Sequence, residues 1–333
     1  MTKAKNIKDI AKLANVSAAT VSRVINQNGR YSKETEQRVK RIIKEHNYIP
    51  NMSAKGLRTN QTFVIGVIVP DITNNHFASL VLKLETGLFK HGYSCLICNT
   101  NESRELEQKH MKSLSAQNVS GIIVISGMQD YPELNDLPIV YVDRPSKDMR
   151  SNRAMIESDN ERGGYLATEE LIKAGCKQIA ILKCLYNDPN QVLRYEGFKR
   201  ALAAYGIAED TPLSEDLSEV SFDAAYNKVK SLLDRKANFD SLMCTTDTLA
   251  AGAVIALREN GLEVPRDKLV TGFDDCQIAE VCGPGITSVH QDVDEMAKLA
   301  TRLLLDMINK KELDQLYYKL PVSLTIRSST TKL

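Results

Sequence analysis

The sequence predicts an α/β protein with an all-α head: a helix-turn-helix unit within residues 1–50, then a body of two doubly wound parallel-sheet subdomains. Three observations predict this. The chain has 333 residues, more than one ordinary domain of ~150. Its charge is divided: residues 1–61 carry thirteen Lys and Arg against four Asp and Glu, a formal +9, whereas residues 62–333 carry thirty against thirty-eight, or −8. From Thr62 onward, short β-branched apolar runs alternate with amphipathic stretches, as strands interleaved with helices do. Composition excludes several classes. Hydrophobic residues at 43% and charged residues at 26% describe a globular protein. No apolar run reaches the ~18 residues of a membrane span, so no membrane partner is expected. MTKAKNIKDIAKLANVS has no apolar leader core, which places the protein in the cytoplasm. Seven cysteines, an odd number, predict free thiols there.

The head resolves into short helices. Ile7, Ile10, Ala11 and Ala14 fall on one stripe of a first helix, which Asn15-Val16 interrupts. Ser17 is an N-cap residue for a second helix that turns Val21, Val24 and Ile25 inward. The loop Gln27-Asn28-Gly29-Arg30 leads to Ser32, the expected cap of a third helix burying Val39, Ile42 and Ile43 before Pro50. Two short helices joined by a tight turn form a helix-turn-helix. On its second helix Ala18, Ala19, Thr20, Ser22, Arg23 and Asn26 remain outside. Small Ala18 and Ala19 let backbone approach base edges, Arg23 can fork onto a guanine, and Thr20, Ser22 and Asn26 suit phosphates. A basic head on an acidic body fits a double-stranded DNA partner.

IKDIAKLANVSAATVSRVINQNGRYSKET, followed by NYIPNMSAKGLR, resembles the DNA-binding head of the LacI/GalR family of bacterial repressors. The motifs V-S-x-x-T-V-S-R-V-I-N and Y-x-P-N-x-x-A-x-x-L carry the resemblance. It implies a hinge helix and linker over 51–61 that contribute Asn51, Ala54, Leu57 and Arg58 to DNA binding, with Leu57 wedged into a base step. Gly56 costs such a helix about 1 kcal/mol against Ala, so it is expected to form on DNA. LKLETGLFKHGYSCLICNTNES is similar to sugar-utilisation repressors of the sucrose/ribose repressor type.

The body's strands are expected at 63–69, 93–99, 121–126, 138–142, 178–182, 241–245 and 269–273, with helices such as Phe77–Lys90, Glu102–Gln117, Arg162–Ala174, Val192–Tyr205 and Asp247–Asn260. The resemblance implies a periplasmic-binding-protein-like core over 62–333, with subdomains of about 62–160 plus 291–320 and 161–290 plus 321–333. In such folds ligands bind where strands end at the carboxyl side. By that resemblance Asp274, Arg194 and Phe77 are the leading effector residues, followed by Asn74, His76, Asp143, Asn190 and Asp247. Each has a plainer reading: Asp247 as a helix cap, Asp143 as a turn partner of Arg144. Carboxylates, a guanidinium fork and an aromatic face suit a small sugar or sugar phosphate.

The function expected is therefore a transcriptional regulator, a repressor of carbohydrate-utilisation genes that binds a pseudo-palindromic operator as a homodimer and is released by its effector. Two alternatives are a global catabolite regulator answering to a phosphorylated carrier protein and a purine-type repressor needing a corepressor. A dimer is expected because the chain stops soon after Leu324-Thr325-Ile326-Arg327, without the leucine heptad of the family's tetramers. An enzyme is not expected. No phosphate-binding glycine loop, G-x-S-x-G or H-E-x-x-H is present. Cys95 and Cys98 lie three apart in a strand, on opposite faces, so they cannot share a metal and read as core thiols. No cofactor and no metal are expected.

Overall fold

In the computed structural model, residues 6–25, 27–48, 62–125, 127, 131, 134, 136–144, 152–184, 188–207 and 213–331 are described. The chain divides into a head ending at Phe63 and a body beginning at Val64. In the head, α1 (Ile7–Leu13) opens on Asn6, whose side chain accepts from the Lys8 and Asp9 amides while Asp9 reaches back to the Asn6 amide. This reciprocal cap satisfies donors the helix cannot. Asn15, at φ 49°, turns the chain into α2 (Ala18–Ile25), capped by Ser17 Oγ at 3.0 Å from the Thr20 amide. Ser32 caps α3 (Lys33–Glu45) through the Thr35 amide. Ile10, Ala11, Ala14, Val21, Val24, Val39, Ile42 and Tyr48 form the buried centre. The predicted hinge segment, 51–61, lies outside the described residues.

The body's amino-terminal half gives β1 (Val64–Val69), α4 (Asn75–Lys90), β2 (Ser94–Asn99), α5 (Arg104–Ala116), β3 (Gly121–Val124), β4 (Ile139–Val142) and β5 (Arg153–Ser158). The next part gives α6 (Asn160–Lys173), β6 (Ile179–Lys183), α7 (Pro189–Ala204), β7 (Ser214–Asp216) and α8 (Phe222–Asp234). It continues through β8 (Ser241–Cys244), α9 (Asp247–Glu259), β9 (Leu269–Asp274), α10 (Gln277–Val281) and β10 (Thr287–Gln291). The chain closes with α11 (Val293–Ile308), β11 (Tyr317–Leu320) and β12 (Val322–Thr325).

Two six-stranded sheets result, ordered β2-β1-β3-β4-β5-β11 and β7-β6-β8-β9-β10-β12. Among the described residues every strand pairing is parallel except β10 with β12. Strands β3, β4, β5, β6, β8 and β9 are buried along their whole length, which explains the apolar runs of all of them but β5, whose sequence RAMIES buries Arg153 and Glu157. The chain passes from one sheet's lobe to the other after Ser158, after Gln291 and after Leu320. In each sheet the order reverses at one strand, β1 in the first and β6 in the second. Loops leaving a reversal point diverge and open a crevice at the carboxyl ends.

Cys95 and Cys98 are free and half-buried on β2, an edge strand, each packed against a core cluster of the first lobe. Among the described residues no group of His, Cys, Asp and Glu could hold a metal ion, and no helix is long and apolar enough to cross a membrane.

Candidate functional site

The crevice lies between the carboxyl ends of both sheets and encloses a cavity of about 490 Å³. Seven of the eight effector candidates line it: Asn74, His76, Phe77 and Asp143 from the first lobe, and Asn190, Arg194 and Asp274 from the second. Local backbone explains how they arrive. Asn74 ends the β1 loop and caps α4, accepting from the His76 amide at 2.9 Å, so His76 and Phe77 start the helix facing inward. Asp188 caps α7 and Pro189 fills its first turn, which fixes Asn190 and Arg194 on the buried face. Helix α7 crosses α6 in backbone contact. A Cβ on Gly164 would sit 2.0 Å from the Arg194 carbonyl oxygen, and one on Gly197 would sit 2.1 Å from that of Glu161. Only glycine permits so close a crossing.

The two acids at the strand ends have related backbones. Asp143, after β4, has φ 73°, and Asp274, ending β9, has φ 108°. Non-glycine residues rarely adopt such values, and strain of this kind persists where surrounding structure enforces it. Asp143 is 3.5 Å from His76 Nε2, and it accepts from Asn190 Nδ2 at 3.0 Å on the carboxylate and 3.3 Å on the backbone carbonyl. Asn190 thus joins the second lobe to the first. Arg194 donates Nε to Asn160 at 2.8 Å and Nη1 to the Thr245 carbonyl at 2.7 Å, and lies 3.4 Å from Asp274. Its guanidinium carbon stands 3.7 Å from the Phe273 ring centre, a cation–π arrangement. Gln291 Nε2 donates to Asp274 at 2.8 Å.

Charge in this buried space is finely balanced. Burial works against a charged His76, yet Asp143 and Asp274 outweigh it and raise the imidazole above its ordinary value. Burial likewise works against ionised Asp143, but His76 and Arg194 prevail and lower it. At Asp274 burial wins over Arg194 and His76, and the acid is raised. Both imidazole nitrogens, Asp143 Oδ1, Asn190 Oδ1 and Arg144 Nε are buried and make no hydrogen bond among the described residues. Buried polar atoms normally find partners, so these are groups a polyhydroxyl ligand can satisfy.

Asp247 is corrected. It does not line the cavity; Thr246 does. The cap of α9 is Thr246 as well, whose Oγ1 accepts from the Leu249 amide. Asp247 turns behind the site, where it accepts from Ser288 Oγ at 2.5 Å and from the Cys276 amide at 2.8 Å. Burial, reinforced by the Asp274 charge, raises it well above the carboxylate range. Asp143 is also no turn partner of Arg144. Arg144 instead grips Glu102 with both terminal nitrogens, at 2.6 and 2.8 Å, and meets Asp188 at 3.3 Å. Glu102 and Gln191 join the lining without having been singled out in the sequence, and Asp71 and Asp188 join it from the strand-end and α7 loops.

On the head, Ala19 and Arg23 are exposed and Thr20 and Ser22 are half-buried. Arg23 lays its aliphatic stem over Gly29, whose Cβ position is 3.1 Å from Arg23 Cδ. Ala18 is corrected in part: it is half-buried and packs against the head's centre. Asn26, Asn51, Ala54, Leu57 and Arg58 lie outside the described residues.

Residues 6–51 match the model for bacterial regulatory proteins of the lacI family, and residues 168–330 match the periplasmic-binding-protein-like domain. The chain is 35% identical to the ribose operon repressor of Halalkalibacterium halodurans strain C-125, over 97% of this chain and 96% of that one. Among solved structures it is similar to the lac repressor dimer bound to operator and the anti-inducer ONPF. That likeness has a TM-score of 0.87 at 26% identity and covers 99% of this chain and 100% of the other. It is also similar to a LacI family transcriptional regulator from Enterococcus faecium with bound ribose. There the TM-score is 0.74 at 29% identity, covering 81% of this chain and 99% of that one.

Proposed function

This chain belongs to the lacI family of bacterial regulatory proteins, and from that premise we propose a repressor of carbohydrate-utilisation genes that a small sugar releases from its operator. The observation that carries the effector reading is the convergence of Asp143 and Asp274, one from each lobe, on one cavity that Arg194 also lines, 3.4 Å from Asp274. Sugar hydroxyls donate to the carboxylates and accept from the guanidinium, and an apolar C–H face meets Phe77. A ligand held from both sides favours one lobe orientation over others, which is all a small molecule needs to shift a conformational equilibrium. Ribose is the first candidate, because a relative is named for its operon and a solved neighbour holds it.

The head reads a half-site through α2, with Arg23 on a base edge and Thr20 and Ser22 on phosphates. Two-fold pairing of the chain then matches a pseudo-palindromic operator. Leu82 and Phe89 on α4 and Leu96 and Ile97 on the edge strand β2 are exposed and apolar, and they supply a surface for that pairing. Coupling of about 1–3 kcal/mol between sugar and operator sites changes DNA affinity several-fold to about 100-fold, and operator weakens sugar binding by the same factor. Ribose titrations of the full chain with and without operator duplex test this. Equal sugar affinity in both rules induction out. Asp274→Ala should keep operator binding and lose the sugar response; loss of folding would make Asp274 structural.

A further inference from the structure

We propose that Glu102 and Asp188 determine effector specificity: by occupying Arg144, they make the cleft refuse phosphorylated sugars and accept uncharged ones. The inference rests on reading this cleft as the effector site. A phosphate group carries about −1.5 to −2 at neutral pH and is best met by a guanidinium offering two parallel donors. Among the described residues two guanidiniums line the cavity, and both are engaged. Arg194 gives Nε to Asn160 and Nη1 to the Thr245 carbonyl, so two of its three nitrogens are engaged, and it stands 3.4 Å from Asp274. Arg144, only 5% exposed, gives both terminal nitrogens to Glu102 and one also to Asp188.

Three features make the Arg144 cluster a built arrangement. Glu102 and its neighbour Asn101 both sit in left-handed backbone, at φ 55° and 49°, and this turn after β2 brings the carboxylate to Arg144. Asp188 arrives from the opposite lobe; its other oxygen caps α7 through the Asn190 amide at 3.0 Å. The Arg144 guanidinium carbon lies 5.8 Å from the Phe77 ring centre, so the fork stands beside the aromatic face. The remaining charge in the lining also opposes an anion. Six carboxylates (Asp71, Glu102, Asp143, Asp188, Glu219 and Asp274) surround the cavity against two guanidiniums and His76. A phosphate entering here finds, among the described residues, both guanidinium groups already paired, only His76 without a hydrogen-bonded partner, and six carboxylates of like charge, whereas neutral hydroxyls gain acceptors.

Calorimetric titration of the full chain tests this with D-ribose, D-glucose and D-fructose, each against its terminal phosphate ester. The expected result is that one free sugar binds and its ester binds at least about 100-fold more weakly, since like-charge juxtaposition costs several kcal/mol. The double variant Glu102→Gln with Asp188→Asn, in which asparagine can still cap α7, should narrow that gap at least tenfold by gaining affinity for the ester. Glu102→Gln alone, at a half-exposed position, should do so in part. An ester that binds the native chain as well as its sugar overturns the inference and leaves the effector reading intact. A gap unchanged in variants that still bind the free sugar also overturns it, because exclusion is then a matter of shape. Failure of every sugar and every ester to bind removes the effector reading and this inference with it.

Discussion

Asn190→Ala isolates one of the polar contacts that join the two lobes, another being Arg144 with Asp188. Asn190 is 2% exposed on the first turn of α7, and its amide donates to Asp143 across the cleft at 3.0 Å. The substitution keeps the Asp188 cap, so α7 should form as before. What is lost is a hydrogen bond to a charged group, about 1.5–3 kcal/mol. Where that loss is read depends on when the bond forms. If the lobes close on Asn190 only as ligand enters, the loss falls on ligand affinity, which drops about 10- to 100-fold, with little change in the ligand-free melting temperature. If the contact is permanent, the melting temperature falls by several degrees and affinity is spared. Calorimetric titration with sugar, paired with thermal denaturation of the ligand-free chain, separates the two. We expect the first pattern, because a polar bridge between lobes in a ligand cavity is placed to report closure. Affinity within twofold of the native chain would refute the reasoning and reduce Asn190–Asp143 to packing.

Three further outcomes are expected. Arg23→Ala should relax preference at one operator base pair, by about 1–3 kcal/mol, measurable by competition among single-base operator variants. His76 is raised above the ordinary 6.5 by Asp143 and Asp274 acting against burial. The folded chain thus holds that proton more tightly than the unfolded one. The stability it contributes is complete below pH 6.5 and is lost as pH rises through the raised value. Urea denaturation as a function of pH should show this loss, and His76→Asn should flatten it. Gly164→Ala places a methyl group 2.0 Å from the Arg194 carbonyl, so α6 and α7 must part. A cost of about 1–3 kcal/mol or more should appear as a lower melting temperature, together with weaker sugar binding because Arg194 rides on the displaced helix.

Much of the fold was legible because burial writes it plainly. Strands β1, β3, β4, β6, β8 and β9 fall within a few residues of their apolar runs, since a strand covered on both faces has no polar position to blur it, whereas β2 matches its run as a partly exposed edge strand. Strand β5 escaped for the opposite reason. Its sequence, RAMIES, begins with an Arg that is fully buried because it donates to the Leu137 and Leu134 carbonyls, and that solution is visible only in three dimensions. Strands β10, β11 and β12 (TSVHQ, YYKL and VSLT) are short and mixed, and they are strands because neighbours complete their hydrogen bonds. Helices α8 and α11 carry the same periodicity as the helices named from sequence, so nothing physical concealed them.

The site was legible to the extent that one rule governs it. Reading the residues that follow each strand found Asp143, Asp274 and the α4 start, because the carboxyl ends of parallel strands converge on the crevice. The same rule applied to β2 leads to Asn101 and Glu102. Proximity in sequence failed where direction matters. Thr246 and Asp247 are adjacent, yet one lines the cavity and caps α9 while the other points behind it to Ser288. Arg144 and Asp143 are adjacent as well, and they serve different partners on opposite sides of one left-handed residue. At Asp143 and Arg144 the separation coincides with left-handed backbone, φ 73° at Asp143, which the surrounding structure holds in place. The left-handed aspartates are therefore the feature by which this cleft differs from an acidic lining, and a side-chain pattern alone could not have disclosed them.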